Sequence, residues 1–223
     1  MSFHEAPFAK YLASVRIHFW GVVKSTAFIV IILAALLNCI PSVAFNAAQG
    51  YGNSTFPVTY WILEIIAGTF YAFLIALITY YAGVLVWKDR DTRMDEISDS
   101  LPSPEWVSYA ARLTALLGII AIVLAVVMAS AIIIQAALGY DRFQIGLYLK
   151  ELFVRDGSLF LFFAVLAFFI HVLAPNKYVG YFAYVAFLIA NAFIWRPLNV
   201  ATNLVRFAAR PRVIYSDLSL IHI

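Results

Sequence analysis

The sequence has few charged residues and a single cysteine, and each shortage excludes a class of protein. Asp, Glu, Lys and Arg make up 12% of the 223 residues, about half of the usual ~25%. The lone Cys39 cannot form a disulfide within the chain. A soluble domain with so little charge would expose apolar patches larger than soluble monomers usually tolerate. The composition therefore excludes an ordinary soluble globular domain.

Motifs for catalysis and nucleotide binding are also missing. The chain contains no G-x-x-x-x-G-K-[ST], H-E-x-x-H, C-x-x-C or G-x-S-x-G. Its four histidines are scattered too widely along the sequence to indicate a metal site. We therefore expect this chain not to be an enzyme and to hold neither a cofactor nor a metal ion.

The basic excess does not indicate nucleic-acid binding. The formal net charge is +3, but the Lys and Arg residues are scattered singly and form no basic stripe. They fit the ends of membrane helices, where they face anionic headgroups.

Long apolar segments dominate what is present. Hydrophobic residues make up 64% of the chain, and the mean hydropathy is +0.90. About 20 helical residues cross the ~30 Å hydrocarbon core of a bilayer. The sequence predicts an all-α integral membrane protein with about five transmembrane helices, at residues 26–45, 61–87, 107–138, 158–174 and 178–195. Pro41 is predicted to kink or end the first. The short break at Pro175–Lys177 predicts an antiparallel hairpin of the last two.

Two amphipathic stretches lie outside the predicted transmembrane segments, one before the first and one between the third and the fourth. Apolar residues before the first segment repeat at helical spacing, which predicts a helix in the membrane interface: Phe8, Tyr11, Leu12, Val15 and Phe19. The stretch 139–157 has a similar pattern and is interpreted as a re-entrant or interfacial support.

The uncharged loop 46–60 is predicted to lie outside, which places the N-terminus and the loop 88–106 in the cytoplasm.

The loop 88–106 has its own helical pattern. Met94, Ile97 and Leu101 fall at i, i+3 and i+7, and Pro102 ends the pattern. The other face carries Asp95, Glu96 and Asp99. Periodicity alone leaves two interpretations open, a solvated interfacial helix or a docking element for a cytoplasmic partner.

Three polar residues inside the apolar segments are candidates for a functional role: Glu64, His171 and Asn191. Ionisable groups within a membrane segment are functional candidates by default. However, Glu64 and His171 lie near segment ends, where the charged tip can reach water cheaply. Asn191 and Gln135 fit hydrogen bonds between helices.

One region of the sequence is similar to a known family. The run Y-A-G-V-L-V-W-K-D-R-D-T-R-M-D-E-I-S-D-S-L-P-S-P-E-W, Tyr81–Trp106, resembles a signature of bacterial ABC-2 type permeases. The most similar group has two permease halves fused to a C-terminal M1-type aminopeptidase-like domain. Three further stretches resemble the same permease half in the same order: Pro57–Tyr60, Gly146–Phe153 and Asn176–Phe182. Tyr215–Asp217 resembles the approach to a sixth transmembrane helix.

This resemblance implies a permease domain at residues 1–217 that lacks its last helix, with 218–223 as a truncation end. Phe3–Phe19 would be the elbow helix along the inner leaflet. Arg90–Leu101 would be the coupling helix that contacts a separate ATP-binding subunit, through Arg90, Arg93, Met94, Asp95, Glu96, Ile97, Asp99 and Leu101. Val84 departs from the family, which more often has an acidic residue there.

The implied function is the transmembrane subunit of an ABC-2 type transporter in a bacterial inner membrane. Its expected partners are a cytoplasmic P-loop ATPase that hydrolyses the ATP, a second permease half and the lipid bilayer. Two alternatives stay open. The helices could anchor a C-terminally fused M1-type zinc aminopeptidase, whose Zn would lie in a missing domain. The chain could instead be a small membrane interaction or immunity protein.

Overall fold

The computed structural model describes residues 7–48, 57–92, 105–195 and 206–209. Six helices account for nearly all of these residues, and no strand occurs within these ranges. The helices are α1 (Pro7–Val23), α2 (Thr26–Ala48), α3 (Thr59–Asp91), α4 (Glu105–Ala137), α5 (Ile145–Leu173) and α6 (Lys177–Phe193).

Four helices are long and apolar enough to cross a membrane. These spans are Thr26–Asn46, Thr59–Asp91, Trp106–Ala137 and Ile145–Leu173. The prediction of an all-helical membrane protein is therefore confirmed at this level. The fifth predicted segment forms α6, an apolar helix of 17 residues, which is at the lower limit of about 17 residues for a span. Its crossing of the bilayer stays a prediction.

The end of α2 and the start of α5 lie beyond the predicted segments. Pro41 lies inside α2, which continues to Ala48, so Pro41 does not end the helix. The fourth segment begins at Ile145, 13 residues before the predicted start at Ser158. The predicted separate support element in 139–157 is therefore mostly the first part of α5. Its charged residues suggested a boundary at Ser158, but they pair within the bundle and are accommodated in the helix.

A π-helical stretch lies within α5. The helix is α-helical over Ile145–Tyr148, π-helical over Leu149–Asp156 and α-helical again over Gly157–Leu173. π-Helical stretches are rare in proteins, and those that do occur often lie at functional sites. The π-helical turns carry most of the charged residues of α5.

The long helix α3 is the centre of the bundle and packs against α2, α4, α5 and α6. Its inward face is fully buried, as Ile62, Ile66 and Ile78 at 0–1% exposure indicate. The outer faces of other helices remain apolar and exposed, with Leu37 at 74% and Phe182 at 77%. Large exposed apolar surfaces of this kind are typical of helices that face lipid.

The predicted hairpin of α5 and α6 is confirmed. The helix α5 ends at Leu173, and the Asn176 side chain caps α6 by accepting a hydrogen bond from the Val179 backbone N–H at 2.9 Å. The Tyr184 hydroxyl donates to the Phe163 carbonyl at 3.2 Å, between the antiparallel helices. We call the end of the bundle where α3 ends and α4 begins the loop end.

Two glycines permit α6 to pack closely against its neighbours, Gly180 against α5 and Gly83 against α3. A Cβ at Gly180 would overlap the His171 ring, and a Cβ at Gly83 would overlap the Tyr181 ring. The His171 and Tyr181 rings lie edge to face, with centroids 4.8 Å apart. Each glycine therefore provides the space for an aromatic ring of a neighbouring helix.

Gly180→Ala is expected to lower the free energy of unfolding by about 1–3 kcal/mol, because an overpacked core must displace the His171 ring. The matched control is Gly68→Ala, since a Cβ at Gly68 meets nothing within 4 Å. That change should raise the free energy of unfolding by about 0.5 kcal/mol through helix propensity. Denaturant titration in mixed micelles measures both. Equal stabilities of the two variants would contradict the close packing at Gly180.

Candidate functional site

The predicted coupling element lies between α3 and α4. Residues 93–104 fall outside the described residues, and with them Arg93, Met94, Asp95, Glu96, Ile97, Asp99 and Leu101. The structure describes the two helix ends that hold this loop, together with Arg90. Arg90 is exposed in the last turn of α3, and its guanidinium carbon lies 4.7 Å from the centre of the Trp87 ring.

Arg112 joins these two helix ends. It lies two turns into α4, where it is 5% exposed. Its guanidinium donates hydrogen bonds to the carbonyls of Leu85 at 3.1 Å and Val86 at 3.2 Å. It also forms an ion pair with Asp89. A planar guanidinium holds several acceptors in a fixed geometry, so the end of α3 is held in register against the start of α4.

A second ion pair joins the end of α3 to α6. The Lys177 ammonium lies 2.8 Å from the Asp91 carboxylate, and both side chains are partly exposed. Exposed pairs contribute at most about 1 kcal/mol. The Lys177–Asp91 pair therefore serves mainly to align two helices, since it places the first residue of α6 beside the last residue of α3.

The helix α1 packs along α4 near the same region. His18 is 9% exposed, and burial, followed by the positive charges of Lys88 and Arg112, lowers its pKa to about 4, with Asp89 opposing the shift. His18 is therefore neutral at pH 7. On the same side of α1, the Tyr11 and Thr114 hydroxyls lie 2.6 Å apart.

We call His18, Asp89, Asp91, Arg112 and Lys177 the loop base. They come from α1, α3, α4 and α6, near the end of α3. The arrangement has one deeply buried cation, two carboxylates on the last turn of α3 and one neutral imidazole.

The three intramembrane candidates are not brought together. Glu64 is exposed on the second turn of α3, far from the loop end. Asn191 lies on α6 and binds the segment 206–209, since its Oδ1 accepts from the Phe207 N–H at 3.0 Å. Its side chain thus holds a neighbouring segment of the chain.

His171 is fully buried on the last turns of α5, at the loop end. Its ring nitrogens have no hydrogen-bond partner among the described residues. Its visible contacts are packing contacts with Gly180 and Tyr181.

A buried hydrogen-bond group lies at the other end of the bundle. Gln135 is 0% exposed. Its Nε2 donates to the Pro57 carbonyl at 2.8 Å, and its Oε1 accepts from the Tyr148 hydroxyl at 2.9 Å. The interpretation of Gln135 as a hydrogen-bonding link between helices is confirmed, because it joins α4 to α5 and to the start of α3.

A buried ionic cluster, made of Tyr71, Glu151, Arg155 and Asp156, was not predicted. Arg155 forms ion pairs with Glu151 and Asp156, and the Tyr71 hydroxyl donates to Asp156. Both carboxylates are nearly inaccessible, Glu151 at 3% and Asp156 at 2%. Tyr71 lies ~18 Å along α3 from Thr59, within the apolar span Thr59–Asp91. The sequence signal was the opposite charges of Glu151 and Arg155 at i, i+4.

Among the described residues, no group of three or more His, Cys, Asp or Glu side chains could hold a metal ion. Comparisons with protein-family models, with curated proteins and with solved structures found no match to this chain.

Proposed function

We propose that this chain is the transmembrane subunit of an ABC-2 type transporter in a bacterial inner membrane. It moves its substrate with ATP hydrolysed by a separate P-loop ATPase and pairs with a second permease half. The proposal is supported by the resemblance of Tyr81–Trp106 and of three further stretches to such permeases. The four helices long and apolar enough to cross a membrane agree with it.

The loop base is the observation that carries this proposal. A subunit driven by an external ATPase needs a stiff connection between the docking loop and its membrane helices. Arg112 provides one, because it is buried and holds two carbonyls and the Asp89 carboxylate at the end of α3. The Lys177–Asp91 pair extends the connection to α6, and α1 packs along α4.

The mechanism that follows is mechanical. ATP binding closes the ATPase dimer and displaces the docked loop, and the loop base passes this movement to α3 and α4. Each of these helices has 33 residues and is therefore ~50 Å long, so a small tilt at the loop end moves the opposite end. The ATPase contributes by stabilising one of two conformations of the bundle.

The acidic face of the loop provides the direct test. The triple change Asp95→Asn, Glu96→Gln and Asp99→Asn is expected to reduce the co-purified P-loop ATPase at least tenfold, because it removes the charges proposed to dock. Membrane insertion should be unchanged. The measurement is a mild-detergent pull-down from native membranes with mass spectrometry. The control is Asp141→Asn, an exposed acid in the connection between α4 and α5.

The outcomes separate the proposals. Unchanged ATPase recovery in the triple variant would refute the assignment of residues 90–101 as the coupling element. If the wild-type chain recovers no P-loop ATPase, the transporter function fails. In that case a heavier bait with a zinc-dependent aminopeptidase activity would support the anchor function. A bait of 25 kDa that comes alone would support a small membrane interaction protein.

A further inference from the structure

The outward face of α1 is both apolar and basic. The inward face of α1 packs against α4, where Phe19 lies 3.5 Å from the Cβ position of Gly118. The outward face exposes large apolar side chains, including Ile17 at 64% and Trp20 at 47%. Lys10, Arg16 and Lys24 are exposed along the same helix and its end. This combination is typical of a helix that lies on a membrane surface.

A groove of about 680 Å³ follows this face. Its described lining is Ala13, Arg16, Ile17, Trp20 and Lys24. These positions fall at i, i+3, i+4, i+7 and i+11, so they share one face of the helix. The groove therefore has an apolar wall with a cation on each side of Trp20. The Lys24 ammonium lies 5.6 Å from the centre of the Trp20 ring.

In the part of the chain that the structure describes, no acidic side chain forms an ion pair with Arg16 or Lys24. The sequence has no Asp or Glu between Glu5 and Glu64, so α1 and α2 carry only positive charge. Asp89 is the acid near α1, and it is engaged with Arg112 on the inward side. A ligand that satisfies the groove must therefore supply negative charge beside apolar groups.

We propose that this groove binds an anionic glycerophospholipid. The headgroup phosphate pairs with Arg16 and Lys24, and the acyl chains cover Ile17 and Trp20. A guanidinium and an ammonium both bind phosphate well. A lipid fits better than a soluble anion, because the groove is largely apolar and ends at Lys24, two residues before the membrane span that begins at Thr26. The inference does not depend on the transport function.

The test is a lipid titration of the full chain in mild detergent, followed by native mass spectrometry. Phosphatidylglycerol and phosphatidylcholine with identical acyl chains are the two probes. The wild-type chain should bind phosphatidylglycerol more tightly. Arg16→Gln with Lys24→Gln should weaken phosphatidylglycerol binding about 30-fold, since each basic residue near an anionic surface contributes roughly fivefold. Phosphatidylcholine binding should not change.

Three further arms make the result specific. The double variant Arg142→Gln with Arg206→Gln removes the same charge from two exposed arginines elsewhere, and it should bind phosphatidylglycerol normally. Arg16→Lys with Lys24→Arg keeps the charge and should retain binding, which separates charge loss from misfolding. An excess of inorganic phosphate should not displace the lipid.

Several outcomes would overturn the proposal. These are equal affinity of the wild-type chain for both lipids, unchanged binding in the Arg16 and Lys24 glutamine variant, and equal loss in the Arg142 and Arg206 variant. Displacement by inorganic phosphate would instead identify a small-anion site.

Discussion

Arg155→Met is expected to lower the free energy of unfolding by about 3–5 kcal/mol, the usual cost of removing one partner of a buried ion pair. Glu151 and Asp156 are 3% and 2% exposed, so neither can recover its hydration when the guanidinium is lost. Denaturant titration in mixed micelles measures the change.

Three comparisons separate charge from packing in this experiment. Arg142→Met, at an exposed arginine, should have little effect. Tyr71→Phe removes one hydrogen bond to Asp156 and should cost about 1 kcal/mol, as hydrogen bonds between membrane helices usually do. The triple variant Arg155→Met, Glu151→Gln and Asp156→Asn should recover much of the loss, because it removes the two buried negative charges together with the guanidinium. A destabilisation of Arg155→Met no larger than that of Arg142→Met would show that water reaches the cluster.

Arg112→Met is expected to lower the free energy of unfolding by about 3 kcal/mol, at the lower end of the range for buried pairs. Arg112 itself is 5% exposed, but the side chain of Asp89 is 30% exposed and can turn towards water. The change also removes hydrogen bonds to the Leu85 and Val86 carbonyls. The same titration measures it.

Lys177→Met is the matched control for this prediction. It removes the other ion pair of the loop base, whose side chains are 33% and 47% exposed, and should lower the free energy of unfolding much less than Arg112→Met does. If the proposed function holds, Arg112→Met also keeps the ATPase bound while ATP-driven transport falls, because the start of α4 is no longer held to the end of α3. Equal destabilisation by the two changes would contradict the central position of Arg112.

Composition and hydropathy were sufficient to predict the membrane class. Burial in lipid is a local property of apolar runs, so the positions of α2, α3 and α4 followed from their own residues within a few positions. The α5–α6 hairpin was equally predictable, because a break of three residues leaves no room for another arrangement. The start of α5 was not predictable in this way. Its charges depress the local hydropathy, and their pairing with each other and with Tyr71 depends on the neighbouring helix.

The sequence by itself determined that the chain has long apolar segments suited to a bilayer. It also determined that these segments are helical, because in lipid each segment must satisfy its own backbone hydrogen bonds. It also determined which loop carries an acidic helical pattern. Only the tertiary structure decided which polar groups meet. Arg112 is 23 residues from Asp89, and Asp156 is 85 residues from Tyr71. Contacts at such separations depend on the register between helices, which packing at residues such as Gly83 and Gly180 sets and no local pattern encodes.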